Sequence, residues 1–332
     1  MSTDILKSRH CETNTSYDIR LNTDQAHILS LAYSYTDQYI AAGSSDAIIR
    51  IVNISTQHLS HKLNVGPSST MPITCVRFRP KSHISNVLAA SSADGTIQYF
   101  HVSTQQRLCR IDEPGNEIYA IDFDCTGSLL ASGGHDGQVR LYDDVRKQLL
   151  ATMSCNQSQY QSRSHSSRVF CVKFSKSSAN TLMSAGWDNT IQIWDIRTGK
   201  CQRTIFGPHI AGDSVDINNH GQILSGSWRP EQGLQLWDVA SGKLIQNIEW
   251  DMAPMIYSVC FQPGDTNQLC AGGSGTNKAA VINIHSDQNV QIADEYQLSN
   301  QEAIYSCVYS NNGKQICLAG SSPSLRIIQV DD

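Results

Sequence analysis

Met183–Lys200 reads MSAGWDNTIQIWDIRTGK, and Leu224–Lys243 reads LSGSWRPEQGLQLWDVASGK. A fainter version, ASGGHDGQVRLYD, occupies Ala131–Asp143. A phrase that returns every forty-odd residues marks a repeat architecture, in which each unit covers an apolar face of the next. Working outward, a six-residue run precedes each phrase. In order these runs are Ile28–Tyr33 ILSLAY, Ile73–Phe78 ITCVRF, Ile118–Phe123 IYAIDF, Val169–Phe174 VFCVKF, Gly212–Ile217 GDSVDI, Ile256–Phe261 IYSVCF and Ile304–Tyr309 IYSCVY. Successive runs start 43 to 51 residues apart, their third residue is always small, and the last is aromatic in six of seven.

A second run follows each, starting at Tyr39, Val87, Leu129, Thr181, Gln222, Gln268 and Gln315. A third alternates, as in TIQIWDI, and a fourth follows a turn, as in KCQRTIF. Runs this short, with period-two alternation between Gly, Asn and Asp turns, read as β-strands. Seven units of four strands cannot each bury both faces alone. Stacked radially they cover one another and leave only short edges. Small third residues suit inner strands that converge on the axis. The last unit supplies three runs, and Tyr17–Asn22, YDIRLN, resembles the missing fourth. This segment is expected to pair with the C-terminal strand and close the ring. The expected organisation is a tail over 1–16 and one all-β domain over 17–332.

Apolar residues make up 40% of the 332 and charged residues 17%, with a net charge of −5. An acidic chain lacks the excess of Lys and Arg that general phosphate contact needs, so nucleic acid is not an expected partner. No apolar run approaches the roughly 18 residues of a membrane helix, so neither is a membrane. The opening MSTDILKSRHCETNTSYD has no apolar core of a secretory signal. Eleven scattered cysteines without C-x-x-C fit a reducing cytoplasm better than a disulfide framework.

The phrases ending in Trp194-Asp195 and Trp237-Asp238 resemble the WD40 repeat family, over about Tyr17 to Val330. The resemblance implies a seven-bladed β-propeller. It also implies a buried polar set in each blade, best matched in blade four by His165, Ser184, Asp188 and Trp194. Blades one to three keep the turn Asp (Asp46, Asp94, Asp136) but carry Val52, Phe100 and Tyr142 in place of the Trp. Blade five pairs Trp237 with Arg229, and blades six and seven have Gly275 and Ser322 at the Asp position. The recurring WD residues are therefore structural, and function is expected where blades differ.

Catalytic signals are weak. Gly272–Lys278, GGSGTNK, lacks the spacing of a phosphate loop and leads into a strand. His58 and His61 have no Cys or carboxylate cluster to complete a metal site. There is no G-x-S-x-G elbow. No enzyme activity, cofactor or metal is expected.

The resemblance also places the start of each inner strand on the face that commonly binds peptides or proteins. The second residues of the inner runs are Leu29, Thr74, Tyr119, Phe170, Asp213, Tyr257 and Tyr305, near the central opening. His135, Trp187 and Trp228 enter the loop after the second run on the same face, and Arg229 follows Trp228. Tyr119, His135, Phe170, Trp187, Trp228, Tyr257 and Tyr305 are thus candidate partner contacts, with Asp213 and Arg229 for polar specificity. Two loops share this face. Ser154–Arg168, SCNQSQYQSRSHSSR, reads as a solvated insertion, a partner-ordered arm or a phosphorylation site. In Gly207–Asp213, His209 is one residue out of register with His165, so it caps blade five differently or faces the opening.

The expected function is a non-enzymatic scaffold or adaptor that binds one or more proteins or peptides as a subunit of a larger assembly. A structural subunit of a cytoskeletal or ciliary complex is the first alternative. A peptide or small-molecule binder using the central opening is the second.

Overall fold

A computed structural model describes residues 16–330, apart from 22, 24–25, 67–69, 81–85, 156–163, 251–253, 265–266, 285–289 and 299–300. The expected tail lies outside the described residues except for Ser16, which opens the first strand, and so does the middle of the Ser/Gln-rich loop. Twenty-eight strands form seven four-stranded antiparallel sheets, and no helix occurs among the described residues. Six sheets follow chain order from inner to outer strand. In the seventh, Ser16–Arg20 is the outer strand beside Ser324–Gln329, with Ser16 opposite Ile328 and Arg20 opposite Ser324. The molecule is a seven-bladed β-propeller whose N-terminal strand closes the ring, as the repeat count requires.

The apolar alternation fills the gaps between blades. Seven buried clusters each draw on two neighbouring blades. The cluster at the closure packs Ile19 and Leu21 with Leu325 and Ile327 of blade seven and Leu31 and Ile40 of blade one.

The small third residues of the inner strands have a second role. Ser30 Oγ accepts the Val76 amide at 3.1 Å, Ser258 Oγ the Cys307 amide at 3.0 Å and Ser306 Oγ the Leu31 amide at 3.1 Å. The Cys75 and Cys171 thiols donate to the Ile121 and Val215 carbonyls at 3.6 and 3.5 Å. At the remaining two seams the fifth residue takes over: Asp122 accepts the Phe174 amide at 2.8 Å and Asp216 the Phe261 amide at 2.9 Å. Each seam is thus crossed by a side-chain hydrogen bond from an inner strand, in a region where a buried polar atom needs a partner.

Blade five departs from the expected pattern. Its inner strand is only Val215–Ile217, where the run Gly212–Ile217 predicts six residues. The missing half turns toward blade six: Asp213 forms a parallel bridge with Ser258, and the Val259 amide bonds its carbonyl at 3.2 Å. Gly212 permits this, because a Cβ there would lie 2.3 Å from the Tyr257 carbonyl oxygen.

The polar set of blade four is complete. Trp194 Nε1 donates to Ser184 Oγ at 2.8 Å, Ser184 Oγ lies 2.6 Å from His165 Nε2, and His165 Nδ1 lies 2.8 Å from Asp188. Thr190 Oγ1 also donates to Asp188, at 2.7 Å. With the proton on Nδ1, indole, hydroxyl, imidazole and carboxylate form one chain of donors. Burial opposes ionisation of Asp188, but the hydrogen bond from His165 outweighs it and holds the Asp188 carboxyl below its ordinary pKa.

Blades one and three reach the same end with other residues. In blade three the buried Glu113 accepts the Tyr142 hydroxyl at 2.8 Å, the Arg140 guanidinium at 3.0 Å and the Ser132 hydroxyl. In blade one the buried Arg50 donates to Ser44 at 2.8 Å and to Asp46 at 3.0 Å. Blade five keeps only the bond from Trp237 Nε1 to Ser225 Oγ, at 2.9 Å.

Candidate functional site

The inner strands start around one opening of the ring, and their second residues line its mouth. Leu29, Thr74, Tyr119, Phe170, Asp213, Tyr257 and Tyr305 all border a pocket of about 340 Å³. Strand alternation explains this: the first, third and fourth residues are buried against neighbouring blades, and the second projects into the opening.

Two aromatic groups frame the mouth. On one side Tyr119 stacks on Phe170 with centroids 4.7 Å apart and planes 5° from parallel. Phe170 meets Trp187 at 5.2 Å, and Trp187 stacks on His209 at 6.1 Å. On the other side Trp228 meets Tyr257 at 6.3 Å, Tyr257 meets Tyr305 edge-on at 5.3 Å, and Tyr305 meets His27 at 6.4 Å. The Trp228 amide bonds the His209 carbonyl at 2.8 Å and joins the two groups. Trp187 and Trp228 remain 40% and 38% exposed.

His135 stands beside the first group. Its Nδ1 accepts Arg168 Nε at 3.0 Å, and the Arg168 guanidinium lies over the Trp187 ring at 4.9 Å. The Tyr119 hydroxyl donates to Glu117. Burial and then that carboxylate push the Tyr119 phenol upward, so it stays protonated at neutral pH.

The two residues expected to give polar specificity have partners within the chain. Arg229 donates to Asn189 Oδ1 at 2.8 Å and to the Gly207 carbonyl at 3.2 Å. Asn189 also meets His209 Nδ1 at 2.7 Å, and the His209 amide donates to Ser227 Oγ of blade five at 3.0 Å, so His209 joins blade four to blade five. Asp213 borders the pocket, but its carboxylate turns to the floor. There it pairs with Arg77 at 2.5 Å and with Lys173 at 3.0 Å. Burial opposes its charge, yet the two cations beside it hold its carboxyl well below the usual range. Asp122 completes the group, 3.7 Å from Arg77.

The floor is therefore a compact charge network between blades two to five, and it titrates with a defined sign. A carboxyl held lower in the folded than in the unfolded chain stabilises the fold above its unfolded value of about 3.9, and that contribution is lost as pH falls. Asp213→Asn takes from Arg77 and Lys173 their nearest carboxylate. With the Asp213 side chain 26% exposed, the expected cost at pH 7 is about 2–3 kcal/mol, below that of a fully buried pair. Urea unfolding measured from pH 7 to pH 3 is expected to show this gap closing below about pH 4. A gap that does not change with pH contradicts the pairing.

Arg168, His27 and the floor cations were not among the residues singled out from sequence. The floor had a signal: Arg77, Asp122, Lys173 and Asp216 all occupy the fifth position of an apolar inner strand. A recurring charge there predicts mutual pairing. Arg168 and His27 each immediately precede an inner strand, and nothing in their spacing separates them from ordinary loop residues.

Residues 82–177 match the family model described as Anaphase-promoting complex subunit 4 WD40 domain. Residues 19–53 and 59–101 match the model of the WD domain, G-beta repeat. Among curated relatives, Protein tipD of Dictyostelium discoideum is 22% identical over 255 residues, 77% of this chain and 39% of that protein. Nuclear distribution protein nudF of Aspergillus niger is 29% identical over 183 residues, 53% of this chain and 38% of that protein. Small ribosomal subunit protein RACK1 of Drosophila melanogaster is 24% identical over 170 residues, 50% of this chain and 52% of that protein. The chain spans from 20% to about half the length of the curated relatives it matches. Repeat, blade network, ring closure and these matches agree: the chain belongs to the WD40-repeat family.

Proposed function

We propose that this propeller is a non-catalytic interaction scaffold, a subunit of a larger assembly, and that it engages a protein or peptide through the aromatic mouth of its central opening. The observation that carries the reading is the pair of aromatic groups, Tyr119 to Trp187 and Trp228 to Tyr305, that frames the mouth, with two tryptophans more than a third exposed. Aromatic and Arg side chains around a pocket are the composition of binding hot spots. The relatives fit an interaction role in general, and WD40 propellers generally act as platforms. A reducing cytoplasm suits the ten described cysteines, all free.

Photocrosslinking tests the face. A benzoylphenylalanine at position 187 or 305 is expected to capture one partner in common, and one at position 149 on the rim to capture none of it. Capture only from position 149 would support the structural-subunit alternative. Displacement of the partner by a small molecule that saturates the pocket would support the ligand-binding alternative.

A further inference from the structure

Two of the free cysteines meet across the seam between blades three and four. Cys201 is the second residue of the outer strand Lys200–Phe206 of blade four. Cys155 lies just beyond the outer strand Gln148–Thr152 of blade three. Between them Ser154 forms a parallel bridge with Lys200, and the Ser154 amide bonds the Gly199 carbonyl at 3.0 Å. One step beyond a parallel bridge, two residues project to the same side from backbones about 4.8 Å apart. That separation falls within the Cα spacing of about 4.4–6.8 Å that disulfides use. The two thiols interact, each being the first influence on the other's acidity. Both are half-buried against the cluster that contains Met153 and Trp194.

We propose that Cys155 and Cys201 form a reactive dithiol site that hydroperoxides oxidise to a disulfide, stapling the exit of blade three to the outer strand of blade four. The two sulfurs are not equivalent. The neighbouring Cys155 thiol, then the Thr204 hydroxyl 3.6 Å away, lower the Cys201 thiol against the cost of burial. The same contact, then burial, push Cys155 up. Cys201 is thus the more readily ionised of the two and Cys155 the one that holds its proton, the arrangement of an attacking and a resolving thiol.

The steps balance. The Cys201 thiolate attacks one peroxide oxygen. An S–O bond forms, the O–O bond breaks, and the departing oxygen takes a proton to leave as water or an alcohol. Cys155 sulfur then attacks the Cys201 sulfenic acid. The S–S bond forms, the S–O bond breaks, and the leaving hydroxide takes the Cys155 proton. Two thiols are oxidised, one peroxide is reduced, and a dithiol reductant reverses the result. Cys155 then gives up its present contacts with Gln192 Oε1 at 3.0 Å and the Ser164 carbonyl at 3.7 Å.

The other thiols provide controls. Cys260 and Cys270 stand opposite each other in register and meet Cys307, but Cys270 and Cys307 are sealed in the core. Cys125 is exposed. The test treats reduced wild-type protein with hydrogen peroxide, alkylates the remaining thiols in denaturant and maps the peptides by mass spectrometry. The expected product links the peptides of Cys155 and Cys201, two hydrogens lighter, and dithiothreitol reverses it. Cys155→Ser is expected to stop at a sulfenic acid on Cys201 that dimedone traps. Alkylation of native Cys201 should level off above about pH 7, while Cys125 still gains rate at pH 9, the range in which an ordinary thiol of pKa about 8.5 ionises. Recovery of Cys155 and Cys201 fully alkylated while Cys125 or Cys260 takes the oxidation would overturn the proposal, as would a Cys201 rate without a plateau. The wild-type map decides even if the Ser variant folds poorly.

Discussion

Trp194→Ala is expected to cost about 3–5 kcal/mol of unfolding free energy, the range for deleting a large buried aromatic. Trp194 is fully buried in the seam between blades three and four, with Val172, Leu182 and Met153. Its indole donates to Ser184 Oγ at 2.8 Å, and its ring meets His165 edge-on with centroids 6.3 Å apart. Truncation removes the packing and also takes one donor from a chain of buried polar groups that ends at Asp188. Trp194→Phe separates the two contributions. It keeps most of the volume and loses only the indole donor, so about 1–2 kcal/mol is expected for the lost hydrogen bond to Ser184. Urea unfolding at pH 7 measures both. An Ala variant within 0.5 kcal/mol of wild type, on the order of an ordinary surface substitution, contradicts the account of blade four.

Removal of residues 1–21 is expected to be as damaging, because it opens the ring. Blade seven then keeps three strands and exposes the edge of Ser324–Gln329, which now pairs over five residues from Ser16 to Arg20. Ile19 and Leu21 are 4% and 0% exposed, and each is expected to contribute about 1.5–3 kcal/mol by burial. They touch both blade seven and blade one, so their loss loosens two blades at once. An expected loss of about 3–6 kcal/mol follows from these two side chains, and the bared edge favours self-association. Leu21→Ala is the milder form, with about 2–4 kcal/mol expected. Thermal unfolding with light scattering tests both. A truncated protein that melts with wild-type cooperativity and stays monomeric contradicts closure by this strand.

The architecture was legible because the repeat carries the same information seven times. A run such as IYAIDF needs no alignment to be seen in register with VFCVKF, and the unit lacking its fourth strand pointed to YDIRLN at the other end of the chain. Blade five shows the limit. GDSVDI sits in register, but the shortening of its strand depends on the approach of Gly212 to Tyr257, a contact between blades that no pattern within one blade encodes. The polar networks of blades one and three were illegible for a related reason. Arg50 and Glu113 do the work of other residue types from other positions, and only the geometry joins them to Ser44 and Tyr142.

At the mouth, the second position of the inner strand identified the pocket lining because strand alternation points that position inward. Alternation says nothing of where a long side chain ends. Asp213 turned to the floor cations, Arg229 turned back to blade four, and Arg168 came in from a loop to lie over Trp187.

The most direct measurement compares partners captured by the wild type and by a Tyr119→Ala/Phe170→Ala/Trp228→Ala variant, quantified by mass spectrometry. Circular dichroism and thermal unfolding first establish that the variant is folded. These residues contribute to both aromatic groups, so the account predicts selective loss of at least one partner by about tenfold or more, as removal of a hot-spot side chain gives. An unchanged partner list from a folded variant contradicts it and moves the binding surface to the rim or the opposite face.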